Sequence, residues 1–182
     1  SGLIQPTSGT VARRRPPADV HPLTMVFQRD TLLPWLTARE NVGLFFRFHR
    51  RPRGEVRRIV DDLLAMVGLE DFGDAYPYQL SGGMRRRVAL LAGFAPQPSI
   101  MLMDEPFSSL DEPTRVAVHQ DVLRIIRRTE MTVVLVTHDL AEAITLCDEI
   151  LILSARPGRV VSRHEIPFGR ERDVLALRQT PE

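Results

Sequence analysis

The stretch that decides the fold is Ile100–Pro106, IMLMDEP, an apolar run that ends in two adjacent carboxylates. Apolar residues closed off by a proline predict a strand buried on both faces, as in a parallel sheet. Asp104 and Glu105 would then lie at the carboxyl end of this strand, where open α/β sheets bind their ligands. One carboxylate there can hold Mg²⁺, and the next can orient or deprotonate an attacking water. A plain strand followed by an acidic loop would show the same seven residues.

The composition is that of an ordinary globular protein, with 43% hydrophobic and 26% charged residues in a chain of 182. No apolar run approaches the roughly 18 residues that cross a bilayer, so any membrane role is expected to come through a partner. The single cysteine, Cys147, excludes an internal disulfide and fits a reducing compartment. A net charge of only +1 argues against a nucleic-acid partner. All 24 basic side chains are arginine, and no lysine occurs.

Alternating patterns of apolar residues predict an α/β fold. Strands are expected at 23–27, 100–106, 132–136 and 150–153, and helices at 41–48, 56–67, 84–94, 116–126 and 141–147. A capping box of Thr37 and Glu40 precedes the first helix, and Gly68 stands where a helix C-cap belongs. No convincing strand occurs between residues 36 and 95. That region is therefore predicted to be an α-helical subdomain inserted into a core formed by 1–35 and 96–182.

Two further segments carry residues suited to phosphate chemistry. The signature turn (Ser81, Gly82 and Gly83) precedes a helix, and a helix N-terminus with flexible glycines can approach a phosphate closely. A glycine pair taken alone is more often an ordinary turn. His138 follows the strand at 132–136 and can hydrogen-bond a phosphate oxygen or an attacking water, although a lone histidine is more often structural.

Five segments in order give a more specific resemblance. Gln28 matches a Q-loop, Leu80–Met84 a signature motif with Met in place of the common Gln, Met101–Glu105 a Walker B strand, Ser108–Asp111 a D-loop and Thr137–Asp139 a switch-histidine loop. From about Gly2 to Val161 the chain resembles the nucleotide-binding subunit of ABC transporters. The resemblance implies a P-loop NTPase-like core, mostly parallel in its sheet, with an inserted α-helical subdomain.

The resemblance also implies roles and cofactors for the matching residues. ATP and Mg²⁺ would be bound, with Asp104 and Gln28 supporting the metal. Glu105 would act as general base or orient the water, and His138 would contact the γ-phosphate. Ser81, Gly82 and Gly83 would bind the nucleotide held by the opposite subunit, and Asp111 would cross the dimer interface.

Two weaker matches narrow the class of transporter. Residues 30–37 (DTLLPWLT) and 154–159 (SARPGR) look like those of importers of nitrate, sulfonate or taurine. Such a subunit would lie peripherally at the cytoplasmic face of the bacterial inner membrane. Its partners would be transmembrane permease subunits, a second ATP-binding subunit and, indirectly, a solute-binding protein, with no nucleic acid.

The chain departs from the family at the Walker A motif, because GxxxxGK[ST] does not occur in these 182 residues. The first strand and the P-loop are therefore expected to be missing, and the isolated chain is expected to bind and hydrolyse ATP poorly. Two alternatives stay open: a non-enzymatic module that pairs with an intact ATPase subunit, and an ABC ATPase that acts outside transport.

Overall fold

A computed structural model describes residues 4–12, 21–49 and 51–168. A three-stranded parallel sheet has the order β1 (Leu23–Val26), β2 (Ile100–Asp104) and β3 (Thr132–Val136). A separate antiparallel pair follows, β4 (Glu149–Leu153) and β5 (Val160–Glu165). The parallel register, with Val26 opposite Met103 and Asp104 opposite Val136, brings the carboxyl ends of the three parallel strands to one edge.

Six α-helices connect these strands within the described residues. They are α1 (Ala38–Val42), α2 (Leu44–Phe48), α3 (Arg53–Met66), α4 (Gly82–Phe94), α5 (Glu112–Ile126) and α6 (Leu140–Leu146), with 3₁₀ turns at Glu70–Phe72 and Pro77–Gln79. The α/β fold predicted from the sequence is confirmed. None of the helices that the structure describes is long and apolar enough to pass through a bilayer. The division into core and helical subdomain remains a prediction. The described residues between 36 and 95, which are all but residue 50, contain no strand.

Both predicted helix ends are confirmed. The Thr37 hydroxyl accepts from the Glu40 amide at 3.2 Å, and the Glu40 carboxylate accepts from the Thr37 amide at 3.0 Å. At the end of α3, Gly68 has φ +68°, and the Leu69 amide donates back to the Leu64 carbonyl at 2.9 Å. A left-handed residue at this position favours glycine, because it lacks a Cβ.

Two predictions about elements are wrong. The helix expected at 41–48 is split into α1 and α2 at Gly43, whose amide closes α1 by donating to the Arg39 carbonyl at 2.9 Å. Strand β2 is not buried on both faces, because Met101 and Met103 lie in the core while Ile100 and Leu102 are only half-buried. Side chains of α4 and α5 join the two methionines in one core cluster, and among the described residues the opposite face is covered only in part.

Some predicted features lie outside the described residues. They belong to the predicted core at 1–35 and 96–182, of which residues 1–3, 13–20 and 169–182 are not described.

Candidate functional site

Glu105 lies at the centre of a polar cluster at the carboxyl edge of the sheet. Gln28 follows β1, Glu105 follows β2 and His138 follows β3, so the parallel strands bring them together. Gln28 Nε2 donates to Glu105 Oε2 at 3.3 Å, and His138 Nδ1 lies 3.2 Å from Glu105 Oε1. Ser108 completes this carboxylate cluster (Gln28, Glu105, Ser108 and His138), because its hydroxyl lies 3.3 Å from Gln28 Nε2.

The backbone at Glu105 adopts an unusual conformation. Its φ of +42° lies in the left-handed region, which costs a residue with a Cβ about 1–3 kcal/mol. The Glu105 amide donates to the Val136 carbonyl at 2.8 Å, and the Ser108 hydroxyl donates to the Glu105 carbonyl at 3.1 Å. These two bonds fix the turn after β2 against the end of β3, so the Glu105 carboxylate is held towards Gln28 and His138.

Asp104 ends β2 with an exposed carboxylate. Within the described ranges, no hydrogen bond or ion pair engages it. Gln28 turns its amide nitrogen to Glu105, which leaves its amide oxygen for another partner. One free carboxylate and one amide oxygen suit Mg²⁺, which takes few protein ligands and completes its shell with water and phosphate. No group of three or more metal-ligating side chains occurs in the part of the chain that the structure describes.

The loop that carries His138 is held from both sides. The Thr137 hydroxyl donates to Glu142 Oε2 at 2.7 Å and accepts from the Asp139 amide at 3.0 Å. Asp139 caps α6 by accepting from the Ala141 amide at 2.8 Å. The His138 side chain itself is 74% exposed. A fixed loop thus presents an accessible imidazole beside the Glu105 carboxylate.

Arg115 connects two of the predicted motifs. This connection was not predicted from the sequence. Its Nη1 donates to Asp139 Oδ2 at 2.9 Å, and its Nη2 donates to the Leu110 carbonyl at 3.0 Å. The guanidinium therefore joins the loop before α5 to the loop before α6. Behind them, the fully buried His119 lies 3.7 Å from Glu142 and packs edge-on against Phe107.

The signature turn and Asp111 meet at a second place, around Thr114 of α5. The Ser81 hydroxyl caps α4 by accepting from the Met84 amide at 3.2 Å. A Cβ on Gly83 would lie 2.5 Å from Thr114 Cγ2, so glycine is needed for this close approach. Asp111 caps α5, and hydrogen bonds from the Thr114 side chain and amide lower the pKa of its carboxyl.

The predicted site residues thus form two groups. Gln28, Glu105 and His138 converge with Asp104 adjacent in the chain, whereas Gly83 and Asp111 lie beside Thr114. Ser81 and Gly82 directly precede Gly83. Among the described residues, no hydrogen bond or ion pair links the side chains of the second group to the carboxylate cluster. The first group can bind a cation and orient a water, and the exposed start of α4 offers backbone amides to an anion.

The chain is similar to known proteins. Residues 1–108 match the ABC transporter family. An uncharacterized ABC transporter ATP-binding protein of Methanocaldococcus jannaschii, MJ0412, is 43% identical over 97% of this chain and 67% of the relative. The nitrate import ATP-binding protein NrtC of Synechococcus elongatus is 39% identical, over all of this chain and 28% of the relative.

Two further matches extend the comparison. The taurine import ATP-binding protein TauB of Rhizobium johnstonii is 40% identical over 87% of this chain and 62% of the relative. Among solved structures, the dimeric post-hydrolysis state of the ATP-binding cassette MJ0796 with ADP and Pi matches at a TM-score of 0.68 and 35% identity. That match covers 80% of this chain and 63% of the solved one. The chain therefore spans between about a quarter and two thirds of the length of these relatives.

Proposed function

The chain belongs to the ABC transporter family of ATP-binding proteins, and from this premise we propose that it is the ATP-hydrolysing part of an importer for a small anion such as nitrate, sulfonate or taurine. The convergence of Gln28, Glu105 and His138 at the carboxyl edge of the sheet carries the ATPase assignment. The solute class is supported by the similarity to NrtC and TauB and by the 30–37 and 154–159 segments.

The chain's own residues would position the reacting groups and accept the proton of the attacking water. Mg·ATP supplies the phosphoryl group and the charge that the site has to stabilise. Glu105 would orient a water and take its proton, because its carboxylate is held from both oxygens. His138 would reach the γ-phosphate from its exposed position, and Asp104 and Gln28 would support the metal.

The second group of residues suits contact with another subunit. Ser81 and Gly82 are exposed at the start of a 13-residue helix, and Asp111 is exposed before α5. We assign the signature turn to the nucleotide of an opposite ATP-binding subunit and Asp111 to the interface between them. The matched dimeric cassette supports this assignment, because it is a pair of ATP-binding cassettes that holds ADP and Pi.

The exposed surface beside the Q-loop suits a permease partner. Trp35 is 68% exposed, and a cavity of about 370 Å³ nearby is lined by Phe27, Leu32, Leu44 and Phe48. Aromatic side chains of this kind are frequent at protein interfaces. A subunit docked there would lie peripherally at the cytoplasmic face of the membrane and meet a solute-binding protein only through the permease.

Changing Glu105 tests the enzymatic proposal. In the assembled transporter, Glu105→Gln should lower ATP hydrolysis at least about 100-fold, because a general base is lost, while nucleotide binding persists. Glu130→Gln, an exposed carboxylate away from the site, serves as control and should leave hydrolysis unchanged. Equal hydrolysis by wild type and Glu105→Gln would contradict the assignment.

A second candidate is an interaction module that pairs with an intact ATP-binding subunit. These 182 residues contain no lysine and no GxxxxGK[ST] loop to cradle phosphates. We therefore expect the 182-residue chain alone to bind Mg·ATP poorly, and a titration that gives low-micromolar affinity would refute this. Co-purification with a second ATP-binding subunit that has its own Walker A loop would favour the module.

A further inference from the structure

Arg86 is a charged side chain in the interior of the fold. It lies in the second turn of α4, and only 1% of its side chain is exposed. Burial lowers the pKa of its guanidinium, and the nearby Asp30 opposes that shift. A buried charge is costly unless it is paired and hydrogen-bonded, so the partners of Arg86 have to offset its loss of water.

Those partners all belong to the segment that carries Gln28. Arg86 donates to the Phe27 carbonyl from both Nη1 and Nη2, at 2.8 and 2.9 Å, and Nη1 also lies 3.4 Å from the Gln28 carbonyl. The same nitrogen donates to Asp30 Oδ1 at 3.2 Å. The planar guanidinium thus holds the backbone of Gln28, whose side chain contacts Glu105 at 3.3 Å.

The two neighbouring arginines make different contacts. Arg85 donates to the Leu80 carbonyl at 2.6 Å, within its own helix entry, and Arg87 donates to Asp121 of α5 at 2.8 Å. The side chains of the three arginines thus bond three different parts of the fold, and the bonds to the Gln28 segment come from Arg86. The signature turn begins only five residues before it.

We propose that Arg86 is a positioning residue that couples the signature turn to Gln28, through its hydrogen bonds to the Phe27 and Gln28 carbonyls. This inference rests on the proposed function and deepens it. A displacement of the first turn of α4 would pass through the guanidinium to the backbone of Gln28, and from its side chain to Glu105. Lysine would not replace this link, because a single ammonium lacks the planar pair of donors that grips one carbonyl twice.

Hydrogen exchange measures this coupling without requiring activity. In the full protein assembled with its partner subunits, Arg86→Met should raise the exchange rate of the amides between 27 and 33 about tenfold, since charged hydrogen bonds are lost there. Arg86→Lys should show an intermediate rate. The fluorescence of Trp35, the single tryptophan of the chain, should shift in the same order.

Arg87→Met is the matched control, because it removes a neighbouring arginine that ties α4 to α5 instead. It should lower the melting temperature without a selective rise in exchange at 27–33. If Arg86→Met proves too unstable, Asp30→Asn removes the negative charge that pairs with Arg86 and should raise the exchange rate of the same amides to a smaller extent. A uniform rise across the chain, or no rise at 27–33, would overturn the proposal.

Kinetics provide a second readout. Arg86→Lys should lower kcat for ATP about tenfold to 100-fold with little change in KM, because misplacing Gln28 affects positioning more than nucleotide affinity. An unchanged kcat would also overturn the coupling. The proposed function has its own test, and it would be contradicted if wild type and Glu105→Gln hydrolysed ATP equally. The hydrogen-exchange result does not depend on that comparison.

Discussion

At the scale of single residues, Thr114 is the contact point of two motifs that lie 28 positions apart from Gly83 to Asp111. Its methyl group fills the space beside Gly83, and its hydroxyl and amide bond the Asp111 carboxylate. Because Thr114 contacts Gly83, a change at Thr114 can test the packing role of Gly83 separately from its proposed approach to a nucleotide.

The pair Gly83 and Thr114 allows a rescue experiment. Gly83→Ala should lower the melting temperature, because the added methyl would lie 2.5 Å from Thr114 Cγ2. Adding Thr114→Ser removes that methyl and should restore stability, as thermal unfolding would show. ATP hydrolysis by the assembled transporter should remain low in the rescued double variant if Gly83 also approaches the nucleotide. Recovery of both properties would leave Gly83 a packing residue only.

The lowered pKa of Asp111 predicts a pH-dependent contribution to stability. A carboxyl whose pKa is lower in the folded state stabilises the fold above its ordinary pKa of about 3.9 and loses that contribution as pH falls through the lowered value. Asp111→Asn keeps the cap and does not titrate. The difference in melting temperature between wild type and Asp111→Asn should therefore stay constant above about pH 5 and shrink as the pH falls below about 3.9. A constant difference would contradict the prediction.

At the scale of elements, Asn41 of α1 anchors the loop that leads out of the site. Its buried amide accepts from the Leu33 amide at 2.8 Å and donates to the Leu33, Leu36 and Thr37 carbonyls at 3.2, 3.0 and 2.9 Å. One side chain thus satisfies four backbone groups in a segment that has no regular secondary structure of its own.

Replacing Asn41 should therefore be costly. Asn41→Ala removes the side-chain partner of the Leu33 amide and the Leu36 carbonyl, whereas the Leu33 and Thr37 carbonyls still accept from the backbone amides of Leu36 and Asn41. We expect the free energy of unfolding to fall by about 2 kcal/mol, measured by denaturant unfolding. Asn41→Asp keeps an acceptor for the Leu33 amide but turns a carboxylate oxygen towards the carbonyls that the Asn41 amide nitrogen bonds, so its free energy of unfolding should be no higher than that of Asn41→Ala. Glu40→Gln, which preserves the capping box, is the control and should change stability by less than about 0.5 kcal/mol.

Elements were more predictable from the sequence than the contacts between them. The strand at 132–136, the end of α3 at Gly68 and the capping box are determined by neighbouring residues in the chain, so they could be predicted from the sequence. Periodicity did not show the break at Gly43, since apolar spacing continues through it. The left-handed backbone of Glu105 and the long-range bonds of Arg86 and Arg115 depend on tertiary packing, and residue spacing carries no signal for them.

At the scale of the whole molecule, the sheet carries an open edge. Among the described residues β3 pairs only with β2, and Val134 and Val136 are 47% and 55% exposed. Leu151 and Leu153 of β4 are similarly exposed. Soluble monomers seldom expose such apolar strand residues over a large area. A free strand edge adds backbone groups that can pair with another chain.

We expect the isolated 182-residue chain to bind a hydrophobic dye and to associate as its concentration rises. Val134→Thr with Val136→Thr should lower dye fluorescence and association, because threonine keeps strand propensity while removing apolar surface. Val11→Thr changes a still more exposed valine outside the sheet and should have little effect. Light scattering and dye titration measure both properties, and an absence of dye binding by wild type would contradict the expectation.

The positive φ of Glu105 has a further consequence for how this molecule would respond to selection. Glycine would relieve the backbone there, at the position assigned to the reaction. Directed evolution that selects for heat tolerance alone should therefore accept glycine at 105 readily. The selected variants would be more stable but would lack the carboxylate proposed to orient the water.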